Sequence, residues 1–389
     1  MPESMTPRQR VLAAVGHREP DRVPIDVGGT SFSTVIGQAY ERLKAHLGVE
    51  VETRYMKRKS RSVLLGERIA ERLQADTRPL LVGSPDRWQD VYLDGGSFRD
   101  EFGVVWRKAG DGHYAPTGNP LRTATMAELI GYRWPDPLNS GRTRGLREQA
   151  QRLHEGTDYT VVLSLPVGFV HLSQYLRGYE QWLMDIVLDP TLLDALMDGA
   201  LDWWLALAGA VLDEVGPFVD VVAFGDDVAF HDRPMVDLGR YRKLFKPRQR
   251  RMVDLIKSKC QAKVLYHCCG AVRSLIGEFV DIGVDALNPV QVSSAGMDTA
   301  ALKAEFGDRI CFWGAIDTQR VLPLGSPQEV RAEVRQRIGD LASGGGYVLA
   351  PVHNIQEDVP PENILAMADA AAELGWNPAI ICKEGAWPG

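Results

Sequence analysis

The chain has 389 residues, 45% of them hydrophobic, and a formal net charge of −7. That is enough apolar material for one large α/β domain or two ordinary ones. The acidic balance argues against nucleic acid or an anionic membrane as the main partner, while leaving room for a local basic pocket.

No run of about 20 uncharged apolar residues is present, so no membrane span is expected. Residues 1–10 lack the apolar core of a secretory signal. The five cysteines are Cys260, Cys268, Cys269, Cys311 and Cys382. An odd number, in a chain that can build its own core, does not suit a disulfide framework. A reducing, cytoplasmic setting is the expectation.

Residues 5–15 predict a short helix ending near Gly16. Residues 22–27 predict a first strand, closed by Gly28-Gly29. A theme then recurs: a brief β-branched run, a polar or glycine-rich elbow, and a helical segment. Strands are predicted at 78–82, 159–165, 219–224, 263–266, 286–288, 310–313 and 346–350. In residues 271–282, Val272, Leu275, Ile276 and Phe279 fall on one helical face. Eight such units predict a (β/α)8 TIM barrel, one domain over residues 1–389, with an N-terminal helical lead-in. An open doubly wound sheet is the rival, but Gly28-Gly29-Thr30 is too short for its phosphate loop.

Two stretches exceed bare barrel units. Residues 83–149, between strands 2 and 3, contain strand-like pieces at 91–93 and 100–106. They predict a hairpin-bearing excursion over the barrel mouth. Residues 169–189, with Tyr175, Tyr179, Trp182 and Met184, predict helical cover beside the pocket. The tail after Gly375 is expected to pack on the outside.

His267 and Cys269 stand at i and i+2 just after the fifth strand, followed by Gly270, which lets the backbone turn. In extended chain, i and i+2 side chains share a side. An imidazole and a thiolate can therefore meet one zinc ion, which needs a third protein ligand from elsewhere. His353, after the eighth strand, is the candidate, with a substrate-binding imidazole as its alternative. The plain reading of His267 and Cys269 is a hydrogen-bonded histidine beside a core thiol. Cys268 should point away and be buried.

Asp226-Asp227 ends the fourth strand. Asp226 is taken as the inward carboxylate: a metal ligand, an orienting partner of a histidine, or a proton carrier. Asp26 and Thr30 after the first strand, Asn288 and Gln291 after the sixth, and Asp317 after the seventh are candidates for substrate recognition. Each can instead cap a loop. Trp106, Tyr114, Phe169, Tyr175 and Tyr179 either line the entrance, with Tyr179 a substrate contact, or belong to the core. Cys311 reads as core, and Cys260 and Cys382 show no metal spacing.

With these residues in view, the chain resembles the uroporphyrinogen decarboxylase superfamily over nearly its whole length. The resemblance rests on Arg8-Gln9-Arg10-Val11-Leu12-Ala13 with Pro20-Asp21-Arg22-Val23-Pro24, and on Leu176-Arg177-Gly178-Tyr179-Glu180. It continues through Gly225-Asp226-Asp227, Tyr266 to Gly270, Phe312-Trp313-Gly314-Ala315-Ile316-Asp317, Gly345-Gly346-Tyr347 and residues 350–363. It implies a barrel with its site at the carboxyl ends of the strands. In the methyltransferase branch the His-x-Cys motif, here His267 and Cys269, supplies two zinc ligands. The third there is a cysteine after the last strand, where this sequence has His353. The decarboxylase branch also has a histidine at that place, but it carries an arginine-rich loop after the first strand. Residues 26–34 contain no arginine, and a substrate with many carboxylates wants cationic partners.

The resemblance thus implies methyl transfer between a small methylated substrate, such as an aromatic methyl ether, and a corrinoid protein. Zinc would act as Lewis acid, and Asp226 and His353 would be the catalytic side chains. A metal-independent decarboxylase or lyase is the second reading, and a non-catalytic binding subunit the third. Assembly as a homodimer, the substrate and the direction of transfer stay open.

Overall fold

The computed structural model describes residues 4–57, 59–86, 89–109 and 113–374. Seven parallel strands form the main sheet: Thr77–Leu81, Thr160–Ser164, Val221–Gly225, Lys263–His267, Ala286–Asn288, Cys311–Ile316 and Tyr347–Pro351. They pair in chain order and occupy the second to eighth barrel positions. Residues 24–26 close the ring. Ile25 bridges Leu349 of the eighth strand in parallel, and Asp76 N–H, beside the second strand, donates to the Ile25 carbonyl.

The predicted first strand is thereby reduced to a single bridge. Pro24 has no N–H to give, and the Ile25 N–H goes to the Asp76 side chain at 2.8 Å rather than to a ladder partner. Asp76 also holds Arg10 and Arg22, at 2.5 and 2.8 Å. Arg10 comes from the lead-in helix Pro7–Val15, which starts with a Thr6–Gln9 capping box and a proline in its first turn.

Period-two alternation sorts the strand side chains into two apolar groups. Val221, Ala223, Leu265, Ala286, Cys311, Trp313, Val348 and Ala350 fill the barrel, where Val11, Ala14 and Val15 of the lead-in helix join them. Val222, Phe224, Val264, Tyr266 and Leu287 face outward and pack under the helices. The helix Arg273–Asp281 buries Leu275, Ile276 and Phe279, the face its periodicity predicts. The stretch Pro190–Phe218 is long and apolar enough to cross a membrane by length and composition, and 61% of its most apolar window is buried in the protein.

Between the second and third strands, Val91–Tyr92, Phe98–Arg99, Val105–Lys108 and Tyr114–Gly118 form a four-stranded antiparallel sheet. It leans on the helix Phe169–Arg177, where Trp106 meets the Tyr175 ring edge-on at 4.9 Å. The Tyr114 N–H donates to the Lys59 carbonyl on a second small ribbon, Arg54–Lys57 with Ser62–Leu64. The tail after residue 374, with Cys382, lies outside the described residues. The four described cysteines are free thiols.

Candidate functional site: a His, Cys and Asp cluster at the strand ends

Three neighbouring strands build the floor of the site. Gly225, His267 and Asn288 are partners across the fourth, fifth and sixth strands. Leu265 points into the barrel, so His267 and Cys269 continue on that side, whereas Cys268 turns outward. Cys269 Sγ lies 3.3 Å from His267 Nε2. Cys268 is buried, and its sulfur faces the Val228 N–H. Gly270 turns the chain at φ +100°, where a Cβ would meet the Phe230 carbonyl at 2.5 Å.

Asp227 completes the cluster: ligand atoms of Asp227, His267 and Cys269 all lie within 4.8 Å of one another. Asp226 lies outside that cluster, and of the roles expected for it the position beside a histidine, His171, is the one its contacts match. Its wholly buried carboxylate accepts from the Val170 and His171 N–H groups at the start of the helix Phe169–Arg177. Gly168 makes this fit, because a Cβ there would sit 2.3 Å from Asp226 Oδ2. The alternation contained the answer. Val221 and Ala223 face inward, which puts residue 227, not 226, in phase with them.

His171, which sequence reasoning missed, lies between the two carboxylates. Its Nδ1 is 3.3 Å from Asp226 and its Nε2 3.6 Å from Asp227. Burial disfavours the His171 charge, but Tyr175, Asp226 and Asp227 outweigh it and raise the pKa well above the ordinary value. Burial likewise pushes Asp227 up. His171, His267 and the Cys269 N–H, 2.7 Å from Asp227 Oδ1, nevertheless hold it well below the usual carboxylate range. Burial and the Asp227 charge push the Cys269 thiol far up. A carboxylate, an imidazole nitrogen and a thiol brought this close form a donor set that a metal ion can occupy once the thiol gives up its proton.

The donor set suits zinc. Bonds of roughly 2.1 Å to nitrogen and 2.3 Å to sulfur put tetrahedral partners about 3.6 Å apart, close to the observed spacing of sulfur and Nε2. His267 is also oriented for it. Its Nδ1 is 2.5 Å from Asn288 Oδ1, and Asn288 Nδ2 donates to the Trp313 carbonyl. Asn288 is fully buried, and between its two partners it fixes the orientation of the His267 ring.

His353 is not among the residues whose ligand atoms lie within 4.8 Å of one another; its ring centre is 5.8 Å from that of His267, edge-on. Burial and His267 push its pKa down to about 4. Other residues expected to meet substrate make hydrogen bonds within the fold. Asp26 is buried and accepts from Gly29 N–H, Ser33, Thr77 and the Trp313 indole. Thr30 pairs with Ser33 at 2.7 Å. Gln291 accepts from the Gly270 N–H, and Asp317 caps Gln319 and Arg320. Tyr179 is 48% exposed and close enough to Asp227 and His171 to feel their charges. Phe169 and Trp106 are core. Phe32, a second omission, lies over His267 at 4.3 Å between ring centres, delivered by the turn that Asp26 and Thr30 hold.

The sequence profile of the family described as "Uroporphyrinogen decarboxylase (URO-D)" matches residues 106–374. The chain belongs to the uroporphyrinogen decarboxylase family. One relative within reach of this URO-D chain is the "Methylcobamide:CoM methyltransferase MtbA" of Methanosarcina mazei, 27% identical over 229 residues. Another is a "Uroporphyrinogen decarboxylase" of Herminiimonas arsenicoxydans, 30% identical over 102 residues. The matches take in 57% of this chain and 64% of the first relative, and 25% of this chain and 27% of the second. This URO-D chain therefore spans less than two thirds of either curated relative. A solved structure titled "methyltransferase from Methanosarcina mazei" superposes over 95% of this chain and 99% of its own, with TM-score 0.68 and 20% identity. That likeness shows the (β/α)8 barrel, with its helical lead-in and its insertion between strands 2 and 3.

Proposed function

We propose that this protein moves a methyl group between a small methylated substrate, of the aromatic methyl ether class, and a corrinoid protein. The observation that carries the reading is the convergence of Asp227, His267 and Cys269 at the mouth of the barrel. These residues would hold one zinc ion, leaving a position for substrate. When bound there, zinc supplies a Lewis acid for the ether oxygen. The similarity to the methyltransferase MtbA supports the corrinoid partner, which would carry the cobalt chemistry.

The chain's own groups have separate tasks. Asn288 keeps the His267 proton on Nδ1, so Nε2 presents its lone pair to the cluster. Asp226 and the N-terminus of the helix Phe169–Arg177 hold His171, and His171 steadies the Asp227 charge. Neutral His353 stands beside the pocket as a hydrogen-bonding group toward the substrate. Phe32 covers His267 and excludes water from one side.

The test mixes purified protein with reduced corrinoid protein and a panel of methyl ethers, methylamines and methylthiols, following cobalt methylation optically. The expected result is methylation by an ether, lost together with bound zinc in H267A and C269A. No cobalt methylation by any donor, in protein that binds no zinc, would favour the decarboxylase or lyase reading, with His353 and Asp226 as its working groups.

A further inference from the structure

One peptide plane joins Asp226 to Asp227, and the direction of the Asp226 carbonyl fixes how that plane is turned. The Asp226 N–H donates to the His267 carbonyl at 3.1 Å, and its carboxylate is held at the start of the helix Phe169–Arg177. The carbonyl has a separate donor. The hydroxyl of Tyr266, the residue just before His267, donates to it at 3.0 Å. Tyr266 packs outward under the helices, on the opposite side of the fifth strand from His267.

Behind Tyr266 the hydrogen bonds continue. Gln249, on the helix Lys246–Lys259, has its Nε2 2.6 Å from the Tyr266 hydroxyl. Tyr241, on the helix Leu238–Leu244, has its hydroxyl 2.6 Å from Gln249 Oε1. A carbonyl only accepts, so the one Tyr266 proton goes to Asp226. The Tyr266 oxygen then accepts from Gln249 Nε2, which leaves Gln249 Oε1 for the Tyr241 proton. All three side chains are buried. The Tyr266 ring is held against Phe224 and Phe279, at 5.3 and 5.0 Å between ring centres. Removing the Tyr266 hydroxyl would take the donor from the Asp226 carbonyl and the acceptor from Gln249, and the peptide would gain by turning to find another partner.

We propose that Tyr266 is a positioning residue of the metal-binding cluster: its hydroxyl sets the peptide plane that aims the Asp227 carboxylate at the point facing His267 Nε2 and Cys269 Sγ. This rests on the reading that Asp227, His267 and Cys269 hold zinc. Tyr241 stands two side chains further from Asp226 in the same relay, so it serves the fold and not the aim of the carboxylate.

The experiment measures zinc affinity by competition with a chromophoric chelator, and the visible absorption of the cobalt(II)-loaded protein, for wild type, Y266F, Y241F and D227N. Urea unfolding of metal-free protein records what each substitution costs the fold. Y266F and Y241F each remove one hydroxyl from the buried relay, so both urea midpoints should fall. Y266F should also bind zinc about tenfold more weakly and show altered cobalt(II) bands, as D227N does. Y241F should keep the affinity and the bands of wild type. Equal zinc affinity and equal bands in wild type and Y266F overturn the proposal. So do equal losses in Y266F and Y241F, which would make the relay purely structural. Wild type that binds no zinc, or D227N that binds it as tightly as wild type, removes the reading of the cluster and the proposal with it.

Discussion

Asn288 Oδ1 stands 2.5 Å from His267 Nδ1, while Asn288 Nδ2 donates to the Trp313 carbonyl at 2.9 Å. A carbonyl can only accept, so the amide nitrogen faces Trp313 and the amide oxygen faces the imidazole. His267 Nδ1 must then donate, and Nε2 keeps its lone pair toward Cys269. N288L removes this constraint without adding a charge. Zinc affinity should fall about 10–100-fold, read by competition with a chromophoric chelator. Unchanged affinity would leave Asn288 a framework residue.

The two adjacent aspartates should separate cleanly. D227N should lower zinc content per chain after dialysis against dilute chelator, as H267A and C269A do. D226N should mainly lower the urea midpoint, because it weakens contacts at a helix start and to His171, costing about 1–3 kcal/mol. C268A should keep its zinc. A zinc loss in D226N as large as in D227N would contradict the separate roles.

His171 is expected to act through Asp227. H171Q keeps a hydrogen-bonding side chain and removes the charge that holds Asp227 well below the usual carboxylate range. Zinc binding, measured against pH, should shift its midpoint upward in H171Q. An identical binding curve would show that Asp227 is held by the Cys269 N–H alone.

His353 predicts a direction for acid stability. Its pKa falls to about 4 in the folded chain, through burial and the neighbouring His267, while an unfolded histidine titrates at about 6.5. The unfolded state therefore takes up the proton first. Stability from this group is complete above about pH 6.5 and is lost as pH falls toward 4. Thermal midpoints of metal-free protein should drop over that window, and H353Q should drop less. Parallel curves would exclude His353 as a source.

Asp26 should matter for folding and little for ligand choice. It satisfies four donors from three parts of the chain. D26A would leave them buried and unpaired, costing about 3 kcal/mol or more, measured by urea unfolding. A variant as stable as wild type would reopen its reading as a substrate contact.

What could be read along the chain was local. The repeating strand, elbow and helix pattern made the barrel legible. The spacing of His267 and Cys269 put two side chains on one face, since period-two geometry follows from the backbone alone. The same periodicity, counted from Val221 and Ala223, also pointed to Asp227. Tertiary structure decided what comes from elsewhere. His171 arrives on the helix after the third strand, and Phe32 on a turn held by Asp26. Neither is near the motif in sequence, and their approach depends on packing between distant segments. Hydrogen-bond partners were likewise set by the fold: Asn288 meets His267 Nδ1, Gln291 accepts from the Gly270 N–H and Asp317 from the Gln319 N–H, pairings that packing between separate segments or loop geometry decides.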